Sequence, residues 1–465
     1  SNSKDTVLIA LIAAGVAVFA TEVLRRFNTS DKLKGKKKLA PIPESMFGRK
    51  LLEEEFAVKP NYIYGNCGSF GHVPQRVILA QLELIKERES DPEGWYRFGR
   101  EYSLYFDAIR ELADFVKSDP TNLVLVENAS TGTNTALRSI EFADGDKILV
   151  NSHTYGAVLK NVKAVRSEFP GVEEVNFDLQ VPLNSKADVI KQFETAINEN
   201  KGIKVAIIDH ITSPSALLLP VKELIEVCHK NGIIAIIDGA HAPGHIPLNL
   251  EELNADYYTG NIHKWLFAPR GCALLWVHPK HHDVTRPILV SHNHMLDTLE
   301  KRFVPSATRD STAYLAVPSA IAFHKALGGL DVLLERNRQL ANAAAEMLAE
   351  AWGVERYPVP ESLRSPNMAL IALPPIFQDN FPPEERECTK LMKRLHDKGS
   401  FISFNPVSGK IWARISVHAW NSMEDFFEIR DKVLEMANEV PSDCPDGLPL
   451  NAQTARTITS PLVAK

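Results

Sequence analysis

Cysteine is scarce in this chain. Five residues, Cys67, Cys228, Cys272, Cys388 and Cys444, are spread over 465 positions. None forms a CxxC pair, and no Cys or His spacing suits a metal, so neither a disulfide framework nor a metal centre is expected. An odd count without a framework points to reduced thiols in a cytosol-like compartment. Charge of one sign is also lacking. The net charge of −6 is modest and argues against nucleic acid as a partner, which calls for a basic face. Repeats and low-complexity tracts are absent. Long hydrophobic runs are missing too, with one exception at the start of the chain.

That exception is Val7–Ala20, followed by Arg25, Arg26 and the cluster Lys32, Lys34, Lys36, Lys37, Lys38. The run is short for a spanning helix, which takes about 20 apolar residues. A secretory signal would carry its positive charge before the run, not after it. The expected reading is an uncleaved signal-anchor, with the basic flank and the body of the chain on the cytosolic side. The mitochondrial outer membrane or the endoplasmic reticulum would suit it. The alternative is an amphipathic or buried helix.

The rest divides by texture. Residues 1–45 are the anchor and a basic linker, and 46–312 a large domain with an N-terminal arm. Residues 313–440 form a smaller domain, and 441–465 a Pro-, Ser-, Asp- and Thr-rich tail read as disordered. Within the large domain strands and helices alternate. Leu123–Val126, Lys147–Val150, Val205–Ile208, Ile233–Ile237, Tyr257–Tyr258 and Ala273–Val277 read as strands. Such alternation predicts an α/β fold with a mainly parallel sheet covered on both faces. The smaller domain reads as α+β, with short strands at Met368–Ala372, Ile402 and Ile411–Val417, and a last helix at Met423–Met436.

Chemistry concentrates at two places. The strand Ile233–Ile237 delivers Asp238-Gly239-Ala240-His241, and the segment Thr259-Gly260-Asn261-Ile262-His263-Lys264-Trp265 follows. A strand-end Asp followed by such a Lys is what pyridoxal phosphate (PLP) needs. The amine forms a Schiff base with the aldehyde, and the carboxylate keeps the pyridine nitrogen protonated. Upstream, Leu123–Val126 runs into Glu127-Asn128-Ala129-Ser130-Thr131-Gly132, a hydroxyl-rich helix start of the kind that binds phosphate. Alone, those hydroxyls would pass as ordinary helix caps.

With these segments in order, the chain resembles the class V, fold-type I PLP enzymes, and within them the isopenicillin N epimerase-like and C–S lyase branch. That branch includes hercynylcysteine sulfoxide lyases and cysteine desulfhydrases. Further matching pieces are Asn66-Cys67-Gly68-Ser69-Phe70-Gly71, Tyr155-Gly156-Ala157-Val158, Asp209-His210-Ile211-Thr212-Ser213-Pro214, Thr308-Arg309-Asp310-Ser311 and Trp412-Ala413-Arg414-Ile415-Ser416. The likeness spans residues 60–440. It implies the fold-type I transferase fold and a role for each matched residue. Lys264 would be the Schiff-base lysine and proton shuttle, and Asp238 the pyridinium partner. His241 would lie near the ring hydroxyl. Ser130, Thr131, Asn261 and His263 would hold phosphate. Tyr155 would stack on the ring and assist catalysis, and Ser213 and Thr212 would line its edge. Arg414 would grip the substrate carboxylate, with Asn66 beside the substrate. Thr308 would reach the phosphate of a neighbouring subunit, because such sites are shared across a homodimer.

Reaction outcome is the least legible property. A desulfurase needs a thiolate on a mobile loop, whereas Cys388 lies in a charged helical pattern, Glu385–Met392. Epimerisation needs acid–base groups on both faces of Cα, and only Lys264 is evident. The expected activity is therefore C–S β-elimination from cysteine or an S-substituted cysteine, including a sulfoxide conjugate. Pyruvate, ammonia and a thiol or sulfenic product would be released. Epimerase or aminotransferase activity is the alternative.

Overall fold

The computed structural model describes residues 40–440. The apolar run Val7–Ala20, most of the basic linker and the tail from 441 on lie outside the described residues. Among the described residues no single helix is long and apolar enough to cross a membrane. From Pro41 onward the described chain forms one compact unit.

Its centre is a seven-stranded sheet. The strands are β1 (Leu123–Val126), β2 (Lys147–Asn151), β3 (Glu173–Phe177), β4 (Ile203–Asp209), β5 (Ile234–Asp238), β6 (Tyr257–Asn261) and β7 (Ala273–Val277), in the order β1-β7-β6-β5-β4-β2-β3. Only β7 runs against its neighbours. Strands β4 to β7 are buried along almost their whole length, as inner strands covered by helices on both faces require. Six of the seven follow the sequence expectation. The seventh, β3, carries Glu-Glu-Val-Asn-Phe at the sheet edge, where its residues are partly or fully exposed and no apolar run marks it.

A second sheet of β8 (Met368–Ala372), β9 (Ser403–Val407) and β10 (Lys410–Ser416) is antiparallel throughout, in the order β9-β10-β8. Helices Gly329–Trp352, Glu385–Asp397 and Met423–Asn438 bury it. The N-terminal arm joins this half of the molecule. Ile63–Tyr64 pairs in parallel with Ser400–Phe401, and Ile63 enters the same apolar core.

The parallel strands set the functional geometry. Asp209 and Asp238 end β4 and β5 side by side, and Asp238 pairs with Thr259 in the middle of β6, two residues before that strand ends. Open α/β sheets place their ligands in the crevice beyond those ends.

Candidate active site

Segments leaving β4, β5 and β6 meet around Lys264, in the crevice beyond the strand ends: Ser213 holds Arg414, whose charge reaches the Lys264 amine, and His241 touches it. After β6 the chain turns at once into the short helix Ile262–Trp265, so Lys264 stands at the strand's mouth. The segment Asn66–Gly71 contains the short helix Cys67–Phe70 and packs directly on the lysine segment. Gly71 has φ +65°, and a Cβ there would lie 1.9 Å from the His263 carbonyl oxygen, so the close approach requires glycine.

Lys264 lines the cleft with Nζ 3.3 Å from His241 Nε2. Burial, and then the Arg414 charge, push its amine down to about 8, while Asp238 and Cys67 oppose the fall. Only the free amine attacks an aldehyde. Attachment of PLP to cofactor-free protein, trapped with borohydride, should therefore speed up with pH to about 8 and level off above it. A rate still climbing near pH 10, about where an ordinary lysine titrates, would contradict this assignment.

Asp238 is buried, with Oδ1 accepting the Ala240 N–H at 2.9 Å. Its other oxygen is left for a donor in the cleft. Burial raises its pKa, with Lys264 pulling the other way. Its partner across the sheet, Asp209, is also buried, and burial followed by the Asp238 charge drives its pKa well up. Two neighbouring buried carboxylates do not both ionise. Hydrogen bonds from the Thr154 hydroxyl and the Tyr155 N–H favour the charged form of Asp209 and anchor the Tyr155 loop, but burial and the Asp238 charge outweigh them, so of the two Asp209 is pushed further toward the protonated form. Sequence reasoning placed Asp209 in a matching segment without giving it a role. The available signal was an Asp ending each of two successive parallel strands.

Tyr155 caps the helix Gly156–Glu168 and is 46% exposed. A large ring left uncovered at the mouth of a cleft suits stacking on a planar ligand. At the phosphate end, Ala129–Arg138 begins behind Asn128, whose Oδ1 accepts the Thr131 N–H at 2.9 Å. Asn261 Oδ1 takes the Ala129 N–H at 2.9 Å. That contact ties the helix start to the lysine strand; the Ser130 hydroxyl is open to an anion, while the Thr131 hydroxyl makes a long contact of 3.4 Å to Asn128 Oδ1 that an anion could replace. Gly132 lets the helix lie against β6, since a Cβ would meet Thr259 Oγ1 at 2.1 Å. His263 gives its Nδ1 proton to the Cys272 carbonyl at 2.7 Å, and burial lowers its pKa to about 4. Donation to phosphate from Nε2 would need the imidazolium, which a dianion in that place favours.

Arg414 is the most informative of the expected residues. It is 2% exposed, yet no carboxylate among the described residues pairs with it. Its Nη1 donates to the Ser213 carbonyl at 2.5 Å and lies 3.3 Å from Ser213 Oγ. Its Nη2 reaches Asn66 Oδ1 at 3.1 Å and Ser69 Oγ at 3.2 Å, and its Nε lacks a partner. Burial pulls its pKa down to about 10. A buried cation held only by neutral oxygens is a costly arrangement that an incoming anion relieves. Thr212 and Ser215 share a hydrogen bond of 2.6 Å, and Ser215 also meets His153 Nδ1 at 2.6 Å. This network fixes the turn that presents Ser213.

Thr308 stands apart from this constellation. It lines a separate cleft of about 450 Å³ with Trp95, Glu101 and His292. Cys388 is buried in the helix Glu385–Asp397, and burial raises its thiol to about 11. No group of three or more His, Cys, Asp or Glu among the described residues could hold a metal ion.

The arrangement fits PLP. A carboxylate with a free oxygen, a lysine with a depressed pKa, an uncovered aromatic face and a hydroxyl-lined helix start lie around one cleft.

Comparison with known proteins agrees. The family model for aminotransferase class-V matches residues 69–379. Hercynylcysteine sulfoxide lyase of Schizosaccharomyces pombe is 28% identical over 395 residues, covering 81% of this chain and 95% of that protein. A probable chloroplastic L-cysteine desulfhydrase of Arabidopsis thaliana is 29% identical, covering 82% and 84%. Among solved structures, the cystine C–S lyase C-DES in complex with its product cysteine persulfide superposes with a TM-score of 0.68. It is 19% identical, and the match covers 80% of this chain and 97% of that one.

Proposed function

The chain belongs to the aminotransferase class-V family, and from that premise we propose that it is a carbon–sulfur β-lyase. Membership implies PLP as cofactor and relates the chain to C–S lyases and cysteine desulfhydrases. The substrate proposed is cysteine or an S-substituted cysteine, including a sulfoxide conjugate. The products are a thiol or sulfenic acid, pyruvate and ammonia.

The buried, carboxylate-free guanidinium of Arg414 beside Lys264 carries the reading. PLP, when bound, would accept the electron pair left at Cα. Lys264 and Asp238 would hold it, with Ser130, Thr131, Asn261 and His263 at the phosphate and Tyr155 and His241 about the ring. Arg414 and Asn66 orient the amino acid by its carboxylate. Lys264, whose amine is pushed down to about 8 and is therefore partly free near neutral pH, takes the Cα proton and returns it to the leaving group. Cys388, buried and un-ionised, gives no support to a persulfide route.

The test is a panel of cysteine, S-alkyl cysteines, cysteine sulfoxides and non-sulfur amino acids, with pyruvate and ammonia assayed together. Equal yields from the sulfur compounds alone are expected. Exchange of Cα hydrogen with solvent without pyruvate would instead mark an epimerase or aminotransferase.

A homodimer belongs to the same proposal. Phe98, Val290 and Met295 are 82%, 74% and 79% exposed, and Ile288 and Leu289 are also open. Such apolar surface supports burial by a second copy, which would let Thr308 serve the partner's phosphate. Light scattering should report a dimer, and Val290→Asp should drive it toward monomer. A monomeric parent protein would overturn this part. The anchor reading of Val7–Ala20, with the body facing the cytosol, completes the proposal. It is tested by whether the full chain resists alkaline extraction from membranes.

A further inference from the structure

Lys264 reaches His241, and His241 in turn reaches Trp265. The Trp265 indole nitrogen lies 3.4 Å from His241 Nδ1, on the side of the ring opposite the lysine contact. An indole nitrogen only donates. His241 Nδ1 must therefore accept, and a neutral imidazole then carries its one proton on Nε2, the nitrogen that faces Lys264. The ring is neutral because burial pushes its pKa well below the usual range, helped by Lys264, Arg414 and His245.

Trp265 is itself held rigidly. It is fully buried, and its carbonyl accepts from His418 Nε2 at 3.2 Å. His418 Nδ1 accepts the Ala419 N–H at 2.8 Å. The indole packs 4.4 Å from the His245 ring. His245 Nδ1 donates to the His241 carbonyl at 2.9 Å, while its Nε2 accepts the Asn367 N–H at 2.9 Å. Backbone groups thus fix the proton positions of His245 and His418, and the indole fixes that of His241.

We propose that Trp265 is a positioning residue that locks His241 in its Nε2–H tautomer and so aims a hydrogen-bond donor at Lys264 Nζ. The inference rests on reading Lys264 as the cofactor-bearing lysine. A donor at Nζ stabilises the free amine and not the ammonium. It acts with burial and Arg414, and against Asp238 and Cys67, which also face the amine; His263 on the lysine's own helix is neutral. Without the indole N–H, His241 can move its proton to Nδ1. Its Nε2 then becomes an acceptor for the ammonium, and the lysine holds its proton to higher pH.

The full cofactor-free chain is labelled with acetic anhydride across pH, and acetylation of Lys264 is read by mass spectrometry. In Trp265→Phe the labelling midpoint should rise by ~1 pH unit, the scale of one hydrogen bond on a buried amine. In His241→Gln, where the amide supplies the donor, adding Trp265→Phe should move the midpoint little. A folded Trp265→Phe protein with an unmoved midpoint overturns the proposal. Because Trp265 is fully buried, a second measurement uses the unmutated chain. Long-range proton–nitrogen correlation on histidine-labelled protein locates the His241 proton, with His241→Gln identifying the signal. A proton on Nε2 supports the lock, and one on Nδ1 overturns it. Borohydride trapping of added PLP tests the cofactor reading separately. Absence of a Lys264 adduct would overturn that reading while leaving the tautomer result legible.

Discussion

A chain with Lys264→Ala should fold normally and lose at least about 10²–10⁴ of its turnover, the range a positioned acid–base group supplies. The side chain makes one hydrogen bond, to His241, and its charged form is disfavoured by burial and by Arg414. Removing it therefore costs little stability and relieves a repulsion. A thermal melt equal to or above that of the parent is expected. PLP should still bind through Asp238 and the phosphate loop, but borohydride should no longer fix it to the chain. Lys264→Arg separates charge from chemistry. It restores a cation, raises the repulsion with Arg414, and neither attaches the cofactor nor moves the proton. Pyruvate release within about tenfold of the parent from either variant would remove Lys264 from the mechanism. That threshold corresponds to about 1.4 kcal/mol of barrier.

Much of this site could be read before any coordinates. Strands β4 and β5 announce themselves because both faces are buried, so the sequence shows Ile-, Val- and Ala-rich runs that end in Asp209 and Asp238. The longer extent of β6 was hidden. Its second half, Thr259, Gly260 and Asn261, is polar or small yet fully buried, because Thr259 bonds to the Leu274 carbonyl and Asn261 to Ala129. What stayed out of reach is register. Nothing local says that Asp209 and Asp238 stand side by side, which is what gives one of them the proton. Nor does the sequence reveal that Ile63–Tyr64 meets Ser400–Phe401 across the length of the chain. The contact between Trp265 and His241 is equally invisible, since adjacency to a lysine carries no hint of where an indole nitrogen points. Thr308 shows the opposite limit. A motif match names it, and within one chain the fold gives it no place among the other phosphate residues.

Arg414→Gln should lower kcat/KM for carboxylate-bearing substrates by about 10²–10³. Two hydrogen bonds from a charged group to a bound carboxylate are worth about 3–4 kcal/mol together, at 1.4 kcal/mol per tenfold. Most of the loss should fall on KM, because the grip on the carboxylate is the same before and during proton transfer. Arg414→Lys should recover only part of it, since a point charge cannot reproduce the planar fork. A structural role competes with this account. The guanidinium also bridges the Ser213 turn, Asn66 and Ser69, so its loss could slacken the cleft without any carboxylate being involved. Cysteamine, which is cysteine without its carboxylate, separates the two. If Arg414 binds the carboxylate, parent and Arg414→Gln should bind cysteamine equally weakly, as read from the change in PLP absorbance. If Arg414 only braces the cleft, the variant should bind both compounds worse in the same proportion. The buried cation would then need another explanation for having no carboxylate partner in the protein.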